Sequence, residues 1–529
     1  MKTLSCAVIL LLCYVFPACA QIVSQDCSTP PAKFGNVWYI DPVNGKPPPL
    51  GTGTQQHPWN SLEAVFETVP GYPYPLLTSA PYRYLPKGGT SYVFATGPSA
   101  GPIKPGDEIL LMSGNYGNIT IGQYNTEISN SSYLTISAAP GQTPVLGQLY
   151  IISTNMLAFN GLKVQSTMAT AASTSFLVEV KDQGPNYPAS NIVFENMNIS
   201  SADNVSSWTQ AQWVANARNG FAVYSSAGGN NTKCVAMIQS HISNVRTGAG
   251  LSANLILFSG NQIDHFGDDG IDYAGSNISI TKNYIHDSLY LNDANHPDAM
   301  QGVIGTLPPG VTVNTFSNIL IDSNTVIRQT DPHLAFPYGL QGIDAFNSNW
   351  QNLTVTNNVV LTSACWGIDF GSVQGGSIMD NTVLNDGLPS GNCLATLGIS
   401  GATTKNVAVR NNLVSALGVD NRLPGVEADH NVAIGTANAA LATYVNGVAT
   451  WYSKPGTYAG SNVIAAGGPA AEFVEFDTST LTYDLRLKTN APAKLAGTAT
   501  GAPGIDILGI TRATTAPNGY TAGAYGYPQ

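Results

Sequence analysis

Charge is scarce in this sequence, and positive charge scarcer still. Lys, Arg, Asp and Glu make up 10% of the 529 residues, and the balance is a formal net charge of −11. No basic run is present, which argues against nucleic acid or an anionic membrane as partner; an acidic polymer would be repelled unless a cation stood between. Long apolar runs are equally rare. The stretch Ala7 to Val15 is too short to span a membrane. With Lys2 before it and Ala18-Cys19-Ala20 after it, Met1 to Ala20 reads as a secretory signal, leaving an exported, soluble chain. Lipidation at Cys19 is the alternative, which Phe16 and Pro17 fit poorly. Cysteine is sparse too. Cys27, Cys234, Cys365 and Cys393 lie outside the signal, too few to be the main support of so long a chain, and no CxxC or Cys/His spacing points to zinc. Cys365 and Cys393 are about one repeat apart, suited either to a bridge between adjacent coils or to two buried thiols.

What the sequence does contain is two interleaved short repeats. One is polar, two spacers, polar: Asp269-Gly270-Ile271-Asp272, Asp298-Ala299-Met300-Gln301, Gln341-Gly342-Ile343-Asp344 and Trp366-Gly367-Ile368-Asp369, with Asn219-Gly220-Phe221-Ala222 as a weaker copy. Read as strands, these point Ile271, Met300, Ile343 and Ile368 one way and Asp272, Gln301, Asp344 and Asp369 the other, a polar column on one sheet face. The second repeat begins and ends in Asn. It runs Asn277 to Asn283, Asn318 to Asn324, Asn352 to Asn358 and Asn406 to Asn412, with looser copies from Asn155, Asn191 and Asn254. Its period-two alternation marks a strand, and the closing Asn suits a tight turn in a left-handed backbone and can hydrogen-bond along a stack. Closing residues Asn261 and Asn283 are 22 apart and Asn358 and Asn381 are 23 apart, against 41 for Asn283 and Asn324. The base coil is therefore short and the excess is inserted loop. One such coil cannot bury its own apolar face, so the pattern predicts an all-β, right-handed parallel β-helix, a solenoid of stacked coils.

The ends complete this plan. Trp59 to Val69 places Leu62, Val65, Phe66 and Val69 on one face, with Asn60 and Glu63 as a capping box, predicting a helix that covers the open end of the stack. The expected organisation is a signal over 1–20, an N-terminal cap and long loop over 21–110, the β-helix over 111–465 and a closing segment over 466–529. The opening Tyr39 to Gly45, with His57-Pro58-Trp59 and Gly106-Asp107-Glu108-Ile109, resembles the start of secreted bacterial right-handed parallel β-helix proteins. Tyr483 to Lys488, Asp506 to Gly509 and Gly523-Ala524-Tyr525 resemble their closing segment.

Asp268, Asp269 and Asp272 place three carboxylates on one turn and strand, where repulsion raises pKa values unless a cation offsets it, and hard oxygen ligands suit Ca²⁺. The spacing is similar to the calcium cluster of pectate lyases in family nine of the polysaccharide lyases. That resemblance implies calcium-assisted β-elimination on a uronate-containing polysaccharide, and the chain is expected to act as a secreted monomer, extracellular or periplasmic. The lysine base of those lyases has no counterpart, since Gln301, Asp344 and Asp369 fill the matching positions. His296, beside Asp298, is the first substitute because an imidazole transfers protons near neutrality; Arg328 and Lys282 are the second. Gln301, Asp344, Asp369 and Trp366 are expected to bind substrate, with Tyr273, Tyr290, Phe336 and Tyr338 available for stacking. The same aspartates offer a glycoside hydrolase its pair of carboxyls, although the Gly-His-Gly and Arg-Ile-Lys signatures of polygalacturonases are missing. A noncatalytic carbohydrate-binding protein is the third reading. Asp331-Pro332-His333 is a weak match to the Asp-Pro-His of alginate epimerases and belongs on a loop beside the cleft. The Asn-x-Ser/Thr sequons read mainly as ladder residues.

Overall fold

The computed structural model describes Gly35 to Gly526 apart from residues 85–92, 99, 123–127, 167–174, 227–230, 294, 304–312, 338, 389–393, 435–440, 446–447 and 515–518. Three long sheets, of 13, 14 and 13 strands, are built by taking one strand per coil in turn. Almost every neighbouring pair within them is parallel, as in Ile256↔Ile278↔Ile319↔Leu353 of the first sheet. The exceptions lie at the C-terminal end, where Leu441–Val445 pairs antiparallel with Val448–Tyr452 and Gly456–Thr457 with Val463–Ile464. The chain is thus a right-handed parallel β-helix, with the handedness usual for parallel crossovers.

The core runs up the middle as stacks of like residues. Ile271, Met300, Ile343 and Ile368 occupy consecutive coils with no exposed surface, and the rings of Phe159 and Phe194 stack at 5.1 Å. Each inward residue is sealed only by the coils above and below, so burial is a property of the stack.

The corner between the first and second sheets carries an asparagine ladder. Asn261, Asn283, Asn324, Asn358, Asn381, Asn412, Asn431 and Asn462 are buried in register. From Asn283 onward the Oδ1 of each accepts both the backbone N–H and the side-chain N–H of the Asn one coil back, at 2.9–3.1 Å, and Asn261 Oδ1 accepts the Ser240 N–H at 2.9 Å. One point differs from the sequence reading. The left-handed residue of this turn is the one before the ladder Asn, for example Lys282 (φ 56°), Ser323 (φ 59°) and Asn357 (φ 54°). The ladder Asn itself is selected for its amide, which satisfies buried backbone at each coil.

The ends are closed unequally. At the N-terminal side the predicted helix is one turn, Glu63–Phe66, with Ala64, Val65 and Phe66 buried in the core. The capping box does not form: Ser61 Oγ accepts the Ala64 N–H at 3.1 Å, while Asn60 Oδ1 is taken by the Tyr72 hydroxyl. At the other side the hairpin Phe473–Asp477 with Thr482–Leu487 folds back over the outer face of the second sheet. Phe473, Leu485 and Leu487 pack there with Val359, Leu361, Leu384 and Leu413. Beneath it Arg512, fully buried, donates to Asn357 Oδ1 and the carbonyls of Gly523 and Ala524 and lies 3.6 Å from Asp380. The third sheet is left to carry chemistry. Cys234 and Cys365 are both disulfide-bonded; Cys393, Cys27 and the expected signal lie outside the described residues.

Candidate active site

Glycine makes the third sheet's repeat possible. A Cβ on Gly270 would stand 2.6 Å from the Ala299 carbonyl oxygen, and one on Gly342 would stand 1.8 Å from that of Gly367. At these two positions only a residue without a side chain fits, while Ala299 fills the matching position of the Asp298 coil, and the flanking polar residues are turned outward in two columns. One runs Ala222, Gly250, Asp272, Gln301, Asp344, Asp369, Gly398. In the other Asp298 is in register with Gln341, and Asp269 precedes it, its Oδ1 accepting the Asp298 N–H at 2.9 Å.

The column concentrates negative charge where water is excluded, so every one of its carboxyls is pushed up. Burial is the first cause throughout. Asp344 reaches about 9, with the adjacent Asp298 carboxyl adding to the rise. Asp298 reaches about 8: burial and the charges of Asp269 and Asp272 raise it, while its hydrogen bond to Asp344 works against them. Asp269 and Asp369 each stand at about 7, and Asp272 lies well above the ordinary carboxylate value. Among the described residues Asp298 Oδ1 and Asp344 Oδ2 are buried without a donor, and the two carboxyls are within hydrogen-bond reach of each other. A proton shared between them removes both deficits. This is the arrangement of two carboxyls that cannot both ionise.

Asp298, fully buried, is the hub. Its Oδ2 lies 3.0 Å from His296 Nδ1 and accepts Gln301 Nε2 at 2.9 Å. His296 is 54% exposed, so its ring links the buried dyad to the cleft. The structure therefore brings together His296, Asp298, Gln301, Asp344, Asp269 and Asp272. It leaves out the two predicted cations. Arg328 is buried against Asp386 at 2.7 Å, on the second-sheet side. Lys282 is exposed at the corner between the first two sheets. The cation at the site is Arg246, whose Nε binds Asp268 at 2.6 Å and whose Nη2 binds Asp293 at 2.7 Å. Sequence reasoning missed it because Arg246 precedes the repeat by one coil; its offset of 22 residues from Asp268, one base coil, was the available signal.

The aromatic expectations divide. Trp366 is 40% exposed beside Asp369, whereas Tyr273 is in the core, its hydroxyl donating to the Asp344 carbonyl at 3.0 Å. Phe336 packs in a loop cluster with Trp213, Leu289 and Leu334, the Tyr290 hydroxyl donates to Asn292, and Tyr338 lies outside the described residues. Asp331 and His333 hang from Asp287, whose Oδ1 accepts the Asp331 N–H. For the expected calcium ion the fit is poor. Among the described residues Asp268 Oδ1 and Asp272 Oδ1 are buried and lack donors, but Arg246 already takes the other oxygen of Asp268. Among the described residues no three His, Cys, Asp or Glu side chains are arranged to hold a metal.

Compared with known proteins, the chain matches no protein-family model and no curated protein. Its structure is similar to that of pectate lyase Pel9A, with a TM-score of 0.38 and 16% identity over 95% of this chain and 100% of that one. A rhamnogalacturonan lyase gives 0.36 and 11% over 88% and 97%, and a GH136 lacto-N-biosidase from Eubacterium ramulus 0.32 and 12% over 74% and 65%. Lyases and a glycosidase stand side by side at these values. No helix among the described residues is long and apolar enough to cross a membrane.

Proposed function

We propose that the chain is an enzyme that cleaves glycosidic bonds of a polysaccharide by acid–base chemistry on the outer face of the third sheet. What supports this is the Asp298–Asp344 pair: two buried carboxyls within hydrogen-bond reach of each other, their pKa values both pushed above neutral pH by burial, next to further carboxyls. Hydrolysis needs that combination, one carboxyl to protonate the leaving oxygen and another to take a proton from water. Asp344 is the donor, kept protonated by burial and by Asp298. Asp272 stands across Gln301, two strand spacings away, about 9–10 Å, near the wide separation of an inverting pair. As the C–O bond breaks, the leaving oxygen receives the proton of the dyad. Water adds its hydroxyl to the anomeric carbon and passes its remaining proton to Asp272, which acts only when ionised; because burial raises its pKa too, activity is expected to rise with pH until Asp344 loses its own proton. Gln301 is placed to hydrogen-bond a sugar between the two.

Elimination from a uronate is the second reading, favoured by the donor-less oxygens of Asp268 and Asp272, which a cation would satisfy. It lacks a base other than His296 or an aspartate. One assay separates the two: absorbance near 235 nm for the unsaturated product and reducing ends in parallel, on polygalacturonate, alginate and neutral xylan, with calcium or with chelator. Reducing ends without absorbance, indifferent to chelator, are expected. A calcium-dependent rise in absorbance would establish elimination instead, and no new ends on any polymer would leave a binding protein.

A further inference from the structure

Two aromatic pairs lie across the third sheet, one at each end of the acidic column. On the N-terminal side Phe176 and Tyr224 meet edge to face at 5.8 Å. Phe176 is in register with Asn219, at the start of its strand, and Tyr224 ends that same strand. Their rings meet over the next coil: a Cβ on Gly250 would stand 3.5 Å from Phe176 Cζ and 3.6 Å from Tyr224 Oη. Gly250 and Ala222, two small members of the column, provide the floor beneath them.

On the C-terminal side Trp366 and Phe346 meet at 5.6 Å, 40% and 38% exposed. Trp366 opens the strand Trp366–Gly371, and Phe346 lies beside the far end of that strand, its ring 3.6 Å from where a Cβ on Gly371 would be. Side chains from opposite ends of a strand touch only by reaching over what lies between, here the outward Asp369. That carboxyl leans the other way, into space that Gly398 leaves open, since a Cβ there would be 2.2 Å from Asp369 Oδ2.

Among the described residues, the stretch between the pairs is the coils of Asp272, Gln301 and Asp344, with Phe346 at the edge of the last, roughly 14 Å at the spacing of adjacent strands. The cleavage chemistry proposed above lies wholly within it. A polymer lying along the stack would run into an aromatic pair in both directions, whereas a terminal segment would fit between them with its sugar faces against the rings. We infer that the site takes the end of a saccharide chain, or a short oligosaccharide, and that Trp366 with Phe346 and Phe176 with Tyr224 set that length. This rests on the cleavage reading and adds that the action is exo.

The test follows average polymer length by light scattering against reducing ends released, for the parent and for the double variant Trp366→Ala with Phe346→Ala. Both positions are exposed enough for the fold to tolerate the change, which circular dichroism checks. The parent is expected to release small products while the polymer keeps nearly its full length. Opening the C-terminal wall should make length fall severalfold faster per bond cut. Early internal cutting by the parent, or an unchanged profile in the variant, overturns the inference. If the parent cuts none of the three polymers, the cleavage reading fails instead, and calorimetry on polygalacturonate fractions of different length then decides the pocket. Binding that tracks the number of chain ends supports it, and binding that tracks polymer mass overturns it.

Discussion

Asp344→Asn tests the charge state on which the proposed chemistry depends. An ordinary aspartate loses its proton above about 3.8, but in the folded chain burial lets Asp344 hold its proton to about 9. Between those limits the folded state binds one more proton than the unfolded state, so folding is favoured at low pH and stability declines as pH rises. Each pH unit costs about 1.4 kcal/mol, and from about pH 5 to pH 8 this one group removes about 4 kcal/mol if its neighbours do not respond. The amide of Asn mimics the protonated acid: it keeps a donor toward Asp298 and cannot ionise. Parent and variant should therefore be equally stable only below about pH 4, and the variant's advantage should grow by up to about 4 kcal/mol between pH 5 and pH 8. Denaturant unfolding at several pH values measures the difference, and activity should drop about 10²–10⁴-fold with the acid gone. A difference that stays constant with pH would refute the reasoning, because Asp344 would then be ionised in the folded state. Repeating the series with chelator shows whether a bound cation is the reason.

Other residues make separate predictions. His296→Ala removes one of the two partners of Asp298 Oδ2 without touching the core; activity should fall about tenfold with a changed pH profile, and chemical stability should stay near that of the parent. Arg246→Met leaves Asp268 and Asp293 without their cation, so about 2 kcal/mol of stability should be lost, more at pH 8 than at pH 5; an equal loss at both would mean the pair is not electrostatic. Asn358→Ala removes bonds to Ile321, Asn324 and Asn381 in the ladder; a loss of about 3 kcal/mol and new proteolytic cuts at neighbouring coils are expected.

The sequence by itself determined the parts that repeat. Asn-to-Asn spacing and the polar–Gly–apolar–polar pattern are properties of single coils, and stacking makes the register follow, so the column Asp272, Gln301, Asp344, Asp369 and its inward counterpart Ile271, Met300, Ile343, Ile368 were readable in one dimension. Inserted loops and corners were not, because their side chains reach between coils by routes that no period encodes. Thus Arg246 rather than Lys282 or Arg328 is the cation of the site, and Asp268 belongs to an ion pair before it belongs to any metal. Asp298 became a hub only when Asp344 arrived 46 residues later in the chain, one strand away in space. Charge completes the division. An aspartate's residue type is written in the sequence, but whether it holds a proton at neutral pH depends on how much water the fold takes away and which other carboxyls it stacks alongside.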